Sequence, residues 1–119
     1  MEKKMSELSR EEALQQCRDE LNRAGEATAG GNSGMARVCA RRAAGIAIRF
    51  WLQEHPRSMW GIDTMNQLRN LHLDQSVPQA VRTAAKRLTS RVNPEFAPPH
   101  QEDPAVDSRT IVEYFLGSS

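Results

Sequence analysis

Aromatic residues are scarce, 5% of the chain, and none is interleaved with its basic pairs, so a stacking platform for nucleic-acid bases is missing. Cysteine is scarcer still. Cys17 and Cys39 fall on different predicted helices with no CxxC neighbour, which excludes a disulfide framework and marks them as small buried hydrophobes of a reducing compartment. A membrane-spanning helix needs about 20 consecutive apolar residues, and the best run here is broken by arginine. The opening MEKKMSELSREEALQ is too charged for the apolar region of a signal peptide, so a cytoplasmic protein is expected, with no membrane association. No alternating strand pattern and no internal repeat is present. The histidines, His55, His72 and His100, lack the spacing of metal ligands, and neither a metal nor a cofactor is expected. Gly30, Gly31 and Gly34 precede a helix, but without a strand before them or Lys-Ser/Thr after them they form a linker rather than a phosphate loop.

What is abundant is helix-forming sequence. The longest proline-free segment, Met35 to Glu54, places Ala36, Cys39, Ala40, Ala43, Ala47 and Phe50 on one stripe, widened by Met35, Val38, Ile46 and Trp51. Such a helix must be covered by others. Arg37, Arg41, Arg42 and Arg49 interrupt it and need partners or solvent. Before it, Ser9 with Glu12 forms a capping box that opens a helix through Ala13, Leu14, Cys17, Leu21 and Ala24, expected to end near Gly25. After it, Pro56 stops the central helix, Thr64 with Gln67 opens a short third one, and Ser76-Val77-Pro78-Gln79 opens a fourth that reaches about Val92. Residues 93–107 hold four prolines and are expected as a loop, followed by a last short helix capped by Asp107 or Ser108. Residues 1–8 are expected to be disordered. The expected fold is all-α in a single domain over 1–119, an antiparallel up-and-down four-helix bundle with an additional short helix. Its expected core is Leu14, Cys17, Leu21, Val38, Cys39, Ile46, Phe50, Met65, Leu68, Val81, Ala85 and Leu88.

The net charge of +1 conceals a basic middle. Residues 33–92 carry ten Lys/Arg against three Asp/Glu, whereas 1–32 carry five against seven and 93–119 one against five. Either the acidic ends pack on the basic helices, or the middle helices present an anion-binding face. Arginine forks bind phosphate bidentately, and the candidate ligand-binding set is Arg41, Arg42, Arg49, Arg82 and Lys86. If the second and fourth helices pack side by side, Arg42, Arg49, Arg82 and Lys86 converge on one groove, with Glu102, Asp103 and Asp107 as internal occupants. The one cluster suited to acid/base work is Arg69 with His72 and Asp74, which a solvated helix end explains better.

The order of features resembles a HEPN domain. The resemblance rests on Ala40 to Ala44 (Ala-Arg-x-x-Ala), Trp51 near the end of the same helix, Gly61-Ile62-Asp63-Thr64 to Leu68, Val77-Pro78, Ala84-Ala85-x-x-Leu88 and Ser90-Arg91-Val92-Asn93-Pro94, and it covers about residues 9–117. It implies a prokaryotic helical bundle, a homodimer, and an accessory protein that binds a nucleotide, an anionic ligand or a partner such as a small nucleotidyltransferase. The alternative it implies is a metal-independent ribonuclease of a toxin–antitoxin or defence system, acting on RNA through an Arg and a following His with four to six residues between them. Arg69 and His72 are separated by two residues and Arg91 and His100 by eight, and Ile62-Asp63 stands where the family has His-Asp. These departures favour binding over catalysis.

Overall fold

The computed structural model describes residues 8–90 and 103–117. They form five α-helices and one 3₁₀ turn, with no strand among the described residues: α1 (Arg10–Ala29), α2 (Ser33–Glu54), a 3₁₀ turn (Ser58–Trp60), α3 (Thr64–Leu73), α4 (Gln79–Thr89) and α5 (Pro104–Leu116). The expected all-α bundle is what the chain forms.

Local chemistry explains most boundaries. Ser9 accepts from the Glu12 amide while Glu12 accepts from the Ser9 amide, so the capping box starts α1. Asn32 caps α2 through the Met35 amide, and Pro56 follows its end. Asp63 caps α3, one residue before the expected Thr64. Asp74 shapes the turn into α4 by accepting from both the amide and the hydroxyl of Ser76, bonds that hold its carboxyl below the usual pKa.

Other boundaries differ from expectation: α4 starts at Gln79 without a side-chain cap from Ser76 and stops at Thr89, where Ser90 turns extended, short of the expected Val92. α1 runs past Gly25 to Ala29, because its last turns are anchored by Ala24, buried against Cys39 and Ala105. That packing outweighs a cost of about 1 kcal/mol for glycine inside a helix. α5 begins at Pro104, capped by Asp103, with proline at the first turn where its missing amide is harmless. The expected caps do other work. Asp107 accepts two bonds from Arg87 Nε at 3.1 Å and one from Nη2 at 2.9 Å, and the Ser108 hydroxyl donates to the Ala40 carbonyl at 2.7 Å. The part of the expected loop at 93–102, like the segment 1–7, lies outside the described residues.

α2 is the axis of the molecule and is covered on two sides. Toward α3 and α4 it presents Ala40, Ala44 and Ile48, which join Trp60, Leu68, Leu71, Val81, Leu88 and Ile111. Toward α1 and α5 it presents Ala43 and Ala47, against Leu14, Cys17, Val112 and Leu116. The expected core needs correction here. Ile48 is fully buried, whereas Ile46 is half-buried and Val38 is exposed. Leu21, Phe50 and Met65 are half-buried at the core margins rather than inside it.

α1 runs antiparallel to α2, since Leu8 meets Gln53 and Cys17 meets Ala43. α5 lies along α2 in the same direction, with Ser108 at Ala40 and Phe115 against Trp51. α4 runs opposite to both, its C-terminus reaching Arg37 and Arg41 and its Arg87 reaching Asp107. One end of the bundle is closed by aromatic rings: Trp51 stacks on His55 at 4.8 Å, lies 5.6 Å from Trp60 and 5.3 Å from Phe115, and carries the Arg57 guanidinium over its face. No helix among the described residues is long and apolar enough to cross a membrane.

Candidate functional site

The arginines of the basic middle are attached to the chain's own polar groups. Arg41 Nε donates to the Leu88 carbonyl at 2.7 Å, and Arg37 Nη1 donates to the carbonyls of Arg87 and Ser90. Both thereby satisfy the open carbonyls at the C-terminus of α4, where a helix end favours positive charge. Arg82 does the same for α3, with Nε 3.1 Å from the His72 carbonyl. Arg49 Nη1 donates to Thr64 Oγ1 at 2.9 Å at the start of α3. These bonds use one or two of each guanidinium's five donors.

The attachments separate the expected set. Arg49 sits at the first residue of α3 and Arg82 at the ninth, about 12 Å along a helix axis. Arg42 is exposed on the α1 side of α2, close enough to the Cys39 thiol to act on it. α2 packs chiefly on α1 and α5 and touches α4 little. What the fold brings together instead is Arg37 and Arg41 with the last turn of α4, which carries Lys86 and Arg87. Asp107 is the carboxylate bonded there, and it is engaged by Arg87. Burial, and then the like charge of Arg37, lower the pKa of Arg41. Arg49 is also shifted down, by burial.

Arg69 and His72 share a strip of α3 one turn apart. Arg69 is exposed and donates to Asn66 Oδ1 at 3.1 Å, while the half-buried His72 ring keeps Nδ1 buried without a hydrogen-bond partner. No bond joins the two among the described residues. Nor do three of His, Cys, Asp and Glu gather there as a metal-binding group.

A second feature escaped the sequence. α1 and α5 flank a cleft of about 210 Å³, walled by Leu14, Leu21 and Val112, floored by Cys17, and edged by Arg18 and Arg109. The available signal was Arg18 beside the stripe Leu14–Cys17–Leu21 and Arg109 ahead of Val112. Nothing in the sequence set these two segments face to face. The floor is chemically quiet: Cys17 donates to the Ala43 carbonyl at 3.3 Å, and burial pushes its thiol up to about 11.

No protein-family model, curated protein or solved structure matches the chain.

Proposed function

We propose that the protein is a HEPN-like accessory protein that binds rather than cuts, and that its basic face, where the N-terminal half of α2 meets the last turn of α4, receives a phosphate group such as that of a nucleotide. The observation that carries this is the approach of Arg37 and Arg41 to the end of α4, whose last turn holds Lys86 and Arg87, four cations against one bonded carboxylate among the described residues. Two guanidiniums one turn apart repel each other, and a doubly charged phosphate relieves that repulsion while taking up their remaining donors. The motif order from Ala40 to Pro94 supports the HEPN-like part of the reading. In that reading a small nucleotidyltransferase is the natural protein partner, and its phosphate-bearing substrate or product the natural ligand. A homodimer belongs to the same reading. Met35, Val38, Met59, Ile62 and Tyr114 are exposed apolar side chains of the kind a second copy covers.

Titration of the purified protein with ATP and with tripolyphosphate at low salt tests the site. Saturable binding is expected, weakening as salt is added and lost in Arg37→Ala/Arg41→Ala variants that keep wild-type circular dichroism. Absence of binding by the intact chain overturns the reading. Labelled RNA incubated with the protein checks the competing chemistry: cleavage that disappears in His72→Ala replaces the binding function with a ribonuclease using Arg69 and His72. Sedimentation at micromolar concentration tests the homodimer, and a monomer mass removes it.

A further inference from the structure

The α1–α5 cleft lies apart from the α2–α4 face, and its chemistry does not depend on the reading above. α1 and α5 run antiparallel, because Arg10 donates to the Leu116 carbonyl at one end while Ala24 packs against Ala105 at the other. That register sets Arg18 and Arg109 at the same level on opposite edges of the cleft. Neither has an ion-pair or hydrogen-bond partner among the described residues, in contrast to Arg37, Arg41, Arg49, Arg82 and Arg87. Between them the wall is aliphatic, formed by Leu14, Leu21 and Val112, and the Cys17 thiol beneath is neutral and already hydrogen-bonded. Glu113 stands one turn further along α5, between Arg109 and Gly117, and beyond it the Arg10 guanidinium, bonded to the Leu116 carbonyl, closes the far end of the cleft.

We infer that this cleft is a binding site for a small aliphatic monocarboxylate. The carboxylate sits between the Arg18 and Arg109 guanidiniums, each of which offers a fork of donors, and the hydrocarbon tail runs toward Gly117 over Leu14 and Val112, with Leu21 beside the head group. Glu113, one turn from Arg109, adds a negative charge beside the head group and weakens the site rather than forming it. The cleft is open on one side, and its volume of about 210 Å³, room for roughly seven water-sized groups, matches an acid of five or six carbons. The site holds its ligand without reacting with it, because a thiol that ionises near 11 is not a nucleophile at neutral pH.

The probe is hexanoate, with acetate and 1-hexanol as the head-only and tail-only controls, followed through the methyl resonances of Leu14, Leu21 and Val112. Hexanoate is expected to shift those methyls saturably, at least tenfold more tightly than either control, and the affinity is expected to fall with salt. Arg18→Gln/Arg109→Gln, both at exposed positions, should weaken hexanoate at least tenfold while its own methyl spectrum and melting temperature match wild type. Glu113→Gln should tighten it. Equal shifts from hexanoate and hexanol, an undiminished response in the double variant, or no saturable shift overturns the site. Hexanoate shifts confined to residues around Arg37 and Arg41 also overturn it, while leaving phosphate binding there to be judged on its own titration.

Discussion

Arg87 and Asp107 are joined by a forked ion pair whose two ends live in different surroundings: the Asp107 side chain is 4% exposed and that of Arg87 43%. The pair ties the last turn of α4 to the first turn of α5. Removing Arg87 strands a buried carboxylate, whereas removing Asp107 leaves a guanidinium that water can reach. Arg87→Ala is therefore expected to cost about 3 kcal/mol, and Asp107→Ala only about 1 kcal/mol. Chemical denaturation of both variants checks the order, and a larger loss from Asp107→Ala would contradict it.

Gly45 is the point where α2 meets the start of α3. A Cβ there would lie 2.7 Å from Thr64 Oγ1, 3.1 Å from Thr64 Cγ2 and 2.9 Å from Arg49 Nη1. Arg49 can swing away, but Thr64 is short and held in the first turn of α3. Gly45→Ala is thus expected to destabilise by about 1–3 kcal/mol, although alanine is the better helix former by about 1 kcal/mol. Adding Thr64→Ala removes both threonine contacts, and the double variant should recover most of the loss in a mutant cycle.

Ile48 and Ile46 are two residues apart on α2 and differ in environment, Ile48 being sealed among Trp60, Leu68 and Leu88. Ile48→Ala should cost about 2–5 kcal/mol, and Ile46→Ala about 1 kcal/mol. Equal melting temperatures for the two variants would place the core elsewhere.

The Cys17 thiol gives a pH signature. Its pKa rises from an ordinary 9.0 to about 11, chiefly through burial. Below pH 9 it is protonated in both folded and unfolded chains and has no pH-dependent effect. Between 9 and 11 only the unfolded chain ionises, so stability falls across that window, by up to about 3 kcal/mol. Cys17→Ala should flatten that part of the stability–pH curve relative to wild type.

The helices themselves, the start of α1 and the end of α2 were legible because caps and proline act locally: Ser9 with Glu12 and Pro56 needed no tertiary knowledge, whereas the start of α5 was placed too late because Asp107 and Ser108 make tertiary bonds instead of capping. The core was legible only in part. A single stripe on α2 predicts one covered side, but this helix is covered on two, so Ile48 was missed while Ile46 and Val38 were placed too deep. The candidate site was harder. Charge counting identified a basic middle, yet the partners that hold Arg41 and Arg82 are backbone carbonyls of Leu88 and His72, which every residue type possesses and no composition reveals. The cleft between Arg18 and Arg109 depends on two helices from opposite ends of the chain lying side by side on α2, a relation without local signature.

The small side chains of α2 at positions 43 and 47 sit behind that same cleft, with Leu14 and Cys17 of α1 on one flank and Val112 and Leu116 of α5 on the other. They act as a spacer: the two outer helices can approach each other only as closely as this alanine pair, and the backbone beneath it, allow. Cleft width is therefore governed from the rear, by residues that line neither its wall nor its rim. An added methyl group at either alanine would wedge α1 and α5 apart without altering any group a ligand touches, so aperture and surface chemistry are separately adjustable properties of this bundle.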